Sequence, residues 1–121
     1  MKKRILVVED DRPILAALVE LLDEEGYKVI GAGNGQEALE YLGKAAELPH
    51  LILLDLMMPV LDGIQFRAEQ KKNPNIAGIP VVLMTADAHF ESKKSLIEAK
   101  HYLRKPLDIE NLLEVIKQHC Q

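Results

Sequence analysis

Short, wholly apolar runs recur along this chain, and each ends at a side chain that can bind an ion or donate a hydrogen bond. Residues 5–8 precede Glu9, residues 51–54 precede Asp55, and residues 81–84 precede Thr85. Strands that are apolar at every position are typical of parallel sheets covered by helices on both faces. Longer amphipathic segments separate these runs, which predicts repeated βα units. The chain is therefore constrained to an α/β fold.

The pattern predicts five βα units that fill residues 1–121 as a single domain. The predicted strands are residues 4–8, 28–32, 51–54, the run after Pro80, and a short strand near Tyr102 and Leu103. The predicted helices are residues 13–25, 36–46, 63–72, 90–99 and 109–118. Asp11 is a candidate cap for the first helix. In the last helix, Ile109, Leu112, Leu113 and Ile116 are predicted to face inward.

Such units wind right-handed, and the doubly wound parallel sheet is predicted in the order 2-1-3-4-5 with helices on both faces. That order places the first strand beside the third, about 4.8 Å away. Glu9, Asp10 and Asp55 would then share one site at the carboxyl edge, where folds of this kind bind ligands. Thr85 and Lys105 follow the next strands at the same edge.

Composition narrows the function classes. The 121 residues carry a net charge of −4, so no basic face for nucleic acid is expected, and no apolar stretch is long enough to cross a membrane. A single cysteine, Cys120, can form no internal disulfide, which favours a reducing compartment and a cytoplasmic location. The four histidines are dispersed without metal-ligand spacing, and no phosphate-loop or dinucleotide motif is present.

The acidic cluster predicts a divalent cation site. Several carboxylates close together repel one another unless a cation joins them, and oxygen ligands with some solvent access suit Mg²⁺, with Mn²⁺ as an alternative. The other interpretation is that these acids are helix caps and solvated loop residues. That interpretation remains open for Asp11 and for Asp62, whereas Glu9, Asp10 and Asp55 all follow buried strands.

Asp55 could also act as a nucleophile toward a phosphoryl group and form an acyl phosphate. Lys105 could supply a cation to the phosphoryl oxygens and Thr85 a hydroxyl donor, because this chemistry needs positioning and charge neutralisation more than a base. Considered singly, Lys105 would be interpreted as an ordinary surface lysine and Thr85 as an ordinary residue at the end of a strand. Their shared position at one sheet edge favours the functional interpretation.

With these motifs in view, the chain resembles the receiver domain of two-component response regulators, close to the chemotaxis type with its flavodoxin-like fold. The resemblance covers essentially all 121 residues. The matching stretches are Ile5-Leu6-Val7-Val8-Glu9-Asp10-Asp11, Leu53-Leu54-Asp55-Leu56-Met57-Met58-Pro59, Asp62-Gly63, Met84-Thr85-Ala86 and Tyr102-Leu103-Arg104-Lys105-Pro106.

The resemblance implies roles for individual residues. Asp55 would accept a phosphoryl group, and the Mg²⁺ ligands would be Asp10, Asp55, the backbone carbonyl of Met57 and, mainly through water, Glu9. Lys105 would bind the phosphoryl group. Thr85 and Tyr102 would form a switch pair, and the Lys105-Pro106 peptide bond would be cis.

The resemblance also implies the partners and the output. A sensor histidine kinase or a phosphotransfer protein would donate the phosphoryl group, and an unidentified downstream protein would read the face of the fourth helix, fifth strand and fifth helix. The protein would be a monomer or a phosphorylation-dependent dimer. It would act as a regulatory switch that only contributes to its own phosphorylation and dephosphorylation.

The chain also departs from the family pattern. The segment Glu98-Ala99-Lys100-His101-Tyr102 is shorter than usual and lacks a glycine. Met57 is apolar at a position that borders the phosphoryl group, and Asp87 lies two residues after Thr85; these two are predicted to set the lifetime of the phosphorylated state. The alternatives are a magnesium-dependent phosphohydrolase, which would lack the usual second acid because Met57 is there, and a binding module that is never phosphorylated.

Overall fold

The computed structural model describes residues 2–87 and 97–120, and its centre is a five-stranded parallel sheet. The strand order is β2-β1-β3-β4-β5, which confirms the predicted topology. The strands are β1 (Arg4–Val8), β2 (Lys28–Ala32), β3 (Leu51–Asp55), β4 (Val81–Thr85) and β5 (His101–Arg104). The register pairs Val8 with Leu54, and Asp55 with Met84. The carboxyl ends of β1, β3 and β4 therefore lie side by side.

Four helices lie within the described residues: α1 (Arg12–Glu24), α2 (Gly35–Lys44), α3 (Gly63–Lys72) and a C-terminal helix (Ile109–His119). Each begins after a side chain that accepts a hydrogen bond from a backbone N–H three residues later. The caps are Asp11, Asn34, Asp62 and Asp108. Such caps satisfy donors that the first helical turn leaves without partners. Residues 90–96 of the predicted fourth helix lie outside the described residues, and residues 97–99, which the prediction also included, are not helical.

Two apolar clusters pack on the opposite faces of the sheet. Alternate residues of each central strand point to alternate faces, as with Leu54 on one side and Leu53 on the other. Helices α2 and α3 cover the first cluster, for example through Phe66, and α1 and the C-terminal helix cover the second. The predicted arrangement of helices on both faces is confirmed.

One core prediction is wrong in the C-terminal helix. Ile109 is 53% exposed, whereas Leu112, Val115 and Ile116 are buried. Ile109 is the first residue of the helix, directly after the cap Asp108, and its position there leaves half of its side chain in solvent. It borders a largely apolar cavity of about 290 Å³ between α1 and the loop that carries Lys105.

Helix α3 has few apolar residues, but it is anchored by a buried amide. Gln70 has no exposed surface, and its Nε2 donates to the carbonyl oxygens of Ile76 and Ile79 at 2.9 and 3.1 Å. These bonds tie the end of α3 to the connection that leads into β4. Within the described residues, no helix has the length and apolar character needed to cross a membrane.

Candidate phosphoacceptor site

Three carboxylates meet at the carboxyl edge of the sheet. Glu9 and Asp10 follow β1, Asp55 ends β3, and one carboxylate oxygen from each lies within 4.8 Å of the other two. Glu9 is fully buried and Asp55 is 3% exposed, whereas Asp10 is exposed. The structure therefore brings together the three acids that the sequence predicted to share a site. The set has two buried oxygen donors and one that faces solvent.

The surroundings of Asp55 favour its protonated form. Burial, together with the adjacent carboxylate of Glu9, raises the pKa of Asp55 to about 7, against the lowering influence of Lys105 and of the Met57 backbone N–H. Met57 N lies 3.4 Å from Asp55 Oδ1. Burial disfavours a charge, and a second acid nearby adds to that effect. A cation at this site would relieve both.

Lys105 supplies positive charge to the acids from the loop after β5. Its Nζ donates to Glu9 Oε1 at 2.5 Å and lies 3.5 Å from Asp55 Oδ2. Burial alone would lower the pKa of Lys105, but the bond to Glu9 and the charges of both acids outweigh burial and raise it. Lys105 is therefore held as an ammonium beside the acidic cluster. The Lys105-Pro106 peptide bond is cis.

Thr85 completes the sheet edge at the end of β4. It is 1% exposed, its carbonyl accepts from Lys105 N at 2.8 Å, and its hydroxyl oxygen accepts from Asp87 N at 2.9 Å. Tyr102, on β5, is half-buried, and its hydroxyl donates to the carbonyl of Ile97 at 2.6 Å. Thr85 thus lies at the site, while Tyr102 contacts the segment that precedes β5.

The loop after Asp55 is fixed by a close backbone approach. Gly63 N donates to Leu56 O at 2.8 Å, and a Cβ at Gly63 would lie only 2.9 Å from Asp55 O. A larger residue would push the helix α3 away from the strand end. The same loop leaves the Met57 side chain 56% exposed beside the acids. This contact explains the physical need for glycine in the Asp62-Gly63 pair.

Two other candidate acids serve as helix caps. Asp11 accepts from Ile14 N at 3.1 Å, and Asp62 forms a reciprocal capping box with Gln65. The capping interpretation that the sequence left open therefore accounts for both. Of the four dispersed histidines, His89 follows β4 in the sequence and lies outside the described residues. Local patterns did not reveal that Lys105 would bind Glu9, because 96 positions separate the two residues.

Comparison with known proteins decides which family this fold and site represent. The model of the family described as the response regulator receiver domain matches residues 5–117, which is nearly the whole chain. The chain belongs to the response regulator receiver domain family. Members of this family are regulatory switches of two-component signalling systems.

Several relatives of this receiver domain are informative. The transcriptional regulatory protein PdtaR of Mycobacterium tuberculosis is 40% identical over 95% of the chain, which spans 55% of PdtaR. Sporulation initiation phosphotransferase F of Bacillus subtilis is 35% identical, with 98% of the chain and 94% of that protein covered. The response regulator TrrA of Thermotoga maritima, solved with Mg²⁺ and BeF, has a TM-score of 0.81 at 34% identity, covering 96% of this chain and 97% of TrrA.

Proposed function

We propose that this receiver domain accepts a phosphoryl group on Asp55 and that the acyl phosphate switches the binding of a partner protein. The observation that carries the proposal is the position of Asp55. Its carboxylate is nearly buried at the end of β3, shares a site with Glu9 and Asp10, and has the ammonium of Lys105 at 3.5 Å. This arrangement combines a nucleophile with the positive charge that a phosphoryl group needs.

The donor set fits a divalent cation. Three carboxylates converge within 4.8 Å, and the raised pKa of Asp55 reflects the burial and crowding of negative charge that a cation would offset. Glu9, Asp10, Asp55 and the backbone carbonyl of Met57 would hold Mg²⁺, with Mn²⁺ as an alternative. When bound, Mg²⁺ would neutralise charge on the phosphoryl oxygens.

The residues of the chain then have distinct tasks. A carboxylate oxygen of Asp55 attacks phosphorus, the bond from phosphorus to the donor breaks, and an acyl phosphate forms while the donor leaves with its electron pair. Lys105 exchanges its bond to Glu9 for one to a phosphoryl oxygen. Thr85, the last residue of β4, donates its hydroxyl to another phosphoryl oxygen. Attack by water at phosphorus later restores Asp55 and releases inorganic phosphate.

The output depends on Thr85 and Tyr102. When Thr85 turns to the phosphoryl group, it vacates space that Tyr102 can enter, and Tyr102 then leaves the Ile97 carbonyl that it now contacts at 2.6 Å. This movement changes the surface formed by the predicted fourth helix, β5 and the C-terminal helix. The switch is a population shift, and its extent is limited by how much better the phosphoryl group binds one arrangement.

The phosphoryl donor is proposed to be a sensor histidine kinase or a phosphotransfer protein, which would place the receiver in the cytoplasm. An unidentified protein would bind the switched surface, and phosphorylation could also drive dimerisation through this surface.

The alternative hypothesis, a magnesium-dependent phosphohydrolase, receives less support. Met57, two residues after Asp55, is a half-exposed thioether and cannot act as a general acid.

Intact mass after incubation with acetyl phosphate tests the proposal. We expect one phosphoryl group on the wild-type protein in the presence of Mg²⁺, none with a chelator, and none on Asp55→Asn. Asp62→Asn is a matched control, because it changes a capping acid in the loop that follows Asp55. Labelling of Asp55→Asn to the wild-type level would contradict the assignment of Asp55.

A further inference from the structure

Two side chains from different elements hold adjacent carbonyl groups in the segment that precedes β5. Tyr102 Oη donates to Ile97 O at 2.6 Å, and Arg67 Nη2, from α3, donates to Glu98 O at 3.3 Å. The segment makes a tight turn, because Ala99 N also donates to Ile97 O at 3.0 Å. Arg67 and the proposed switch residue Tyr102 therefore donate to the carbonyl groups of consecutive residues in this turn.

Two nitrogen donors of the Arg67 guanidinium, Nε and Nη1, have no hydrogen-bond partner within the described part of the chain. Its Nε and Nη1 have almost no exposed surface, and across residues 2–87 and 97–120 no acceptor lies within hydrogen-bonding distance of either. Burial lowers the pKa of Arg67, and the charge of Glu98 raises it, in keeping with a guanidinium drawn partly out of water. A buried donor without a partner costs free energy, so a state in which it finds an acceptor is favoured.

There is room for the guanidinium to find a new partner. A cavity of about 380 Å³ adjoins Arg67 and is lined by Ile79, Glu98 and Lys100 among others. The carboxylate of Glu98 is occupied elsewhere, because it pairs with Lys71 at 3.0 Å. The acceptor that Arg67 already binds is a backbone carbonyl of the turn, Glu98 O, and Ile97 O belongs to the preceding residue.

We propose that Arg67 is a positioning residue for the switch, which donates to the Ile97 carbonyl when Tyr102 leaves it. This inference rests on the proposed function, in which Tyr102 moves inward after phosphorylation. Without Arg67, the departing hydroxyl would leave Ile97 O with the bond from Ala99 N as its only partner among the described residues. With Arg67, a charged donor replaces a neutral one, and one of the two buried donors gains an acceptor.

The two possible roles of Arg67 predict opposite effects of its removal on how easily the switched state is reached. If Arg67 merely braced the turn through Glu98 O, its removal would loosen the segment and make the switched state easier to reach. If Arg67 takes over the Ile97 carbonyl, its removal makes that state harder to reach. Arg67→Met keeps the length of the side chain and removes its donors, and Arg67→Lys restores a charged donor without the fork.

The experiment uses beryllofluoride with Mg²⁺ as a phosphoryl mimic and NMR of ¹³C-labelled tyrosine. The chain has three tyrosines, so Tyr27 and Tyr41 report on folding while Tyr102 reports on the switch. We expect Arg67→Met to weaken the apparent beryllofluoride affinity about fivefold and to lower the shifted fraction of Tyr102 at subsaturating mimic. Arg67→Lys should recover part of the loss. The control Lys72→Met, on the same helix, should match the wild type, because Lys72 pairs with Glu69 of α3 and not with the turn.

An unchanged or tighter beryllofluoride affinity in Arg67→Met, with Tyr27 and Tyr41 signals as in the wild type, would overturn the role of Arg67. So would an effect of the same size in Lys72→Met, because it would show that only the general charge of α3 matters. If the wild-type protein bound no beryllofluoride, the proposed function would fail as well, which separates that outcome from failure of the Arg67 inference alone.

Discussion

Lys105 donates to Glu9 at 2.5 Å and lies a full ångström farther from Asp55. The ammonium that is proposed to bind a phosphoryl group therefore makes its shortest contact with Glu9, an acid of the proposed cation site. Occupation of that site by a cation would compete with Lys105 for Glu9 and release the ammonium toward Asp55. Cation binding and readiness for phosphoryl transfer are therefore expected to be coupled through this ion pair.

The first prediction concerns stability against pH. The pKa of Asp55 rises from 3.8 to about 7 on folding, so the folded state binds this proton more tightly. Its contribution is fully present below about pH 4 and is lost as pH rises through about 7. In the presence of a chelator, the gain in free energy of unfolding of Asp55→Asn over the wild type should be roughly 2–3 kcal/mol larger at pH 8 than at pH 5. Urea denaturation at the two pH values measures this difference, and an equal gain at both would contradict it.

Removal of the Lys105 ammonium should raise the pKa of Asp55 further. The charge of Lys105 lowers the pKa of Asp55, so Lys105→Met should raise that pKa above about 7. Phosphorylation by acetyl phosphate should also slow by roughly tenfold or more, because a positive charge beside the phosphoryl oxygens is lost. Carboxyl ¹³C NMR follows the titration of Asp55. Lys44→Met, at the end of α2, is the control, and an Asp55 titration unchanged by Lys105→Met would refute the coupling.

A strained residue lies in the loop after Asp55. Val60 has a φ of 70°, and Leu61 N donates across it to Pro59 O at 2.8 Å. A left-handed conformation costs an L-residue about 1–2 kcal/mol, whereas glycine adopts it freely but loses more entropy on folding. Because Val60 is 77% exposed, little packing is lost, and Val60→Gly should stabilise the protein by about 1 kcal/mol. Thermal unfolding measures the change, and Val60→Ala, which keeps the strain of a Cβ, should show no comparable gain.

The lifetime of the phosphorylated state should depend on Met57 and Asp87. The Met57 side chain is exposed beside the acids, and the Asp87 backbone N–H holds the hydroxyl oxygen of Thr85 at 2.9 Å. Met57→Asn introduces an amide that can orient the attacking water, and it should speed loss of the phosphoryl group by roughly threefold or more. The mass of the phosphorylated protein over time gives the rate. An unchanged rate in Met57→Asn combined with Asp87→Ala would end this idea.

The sheet and the composition of the site followed from the sequence because both are local patterns. A strand buried on both faces must be apolar at every position, and its first polar residue marks the carboxyl edge. That rule placed Glu9, Asp55 and Thr85 together, as the structure has them. The family resemblance supplied the cis bond at Lys105-Pro106, which no periodicity could indicate.

The features that could not be predicted from the sequence depend on the direction in which individual side chains point. Ile109 fits the apolar face of the last helix by spacing, but its position in the first turn leaves it in solvent. Gln70 belongs to a polar run, yet it is fully buried because it satisfies two carbonyls of the following loop. The bond between Lys105 and Glu9 depends on how two distant loops meet. Such contacts are fixed by tertiary packing and leave no periodic signal.

The central claim is that Asp55 itself carries the phosphoryl group, and locating that group tests it most directly. Borohydride reduces an acyl phosphate of aspartate to the corresponding alcohol and releases phosphate, so the modified position can be read by peptide mass spectrometry. After labelling with acetyl phosphate and Mg²⁺, we expect this conversion at position 55 and at no other acid. Conversion at Asp10 or Asp11 instead, or a stable phosphoryl group that borohydride does not release, would contradict the account.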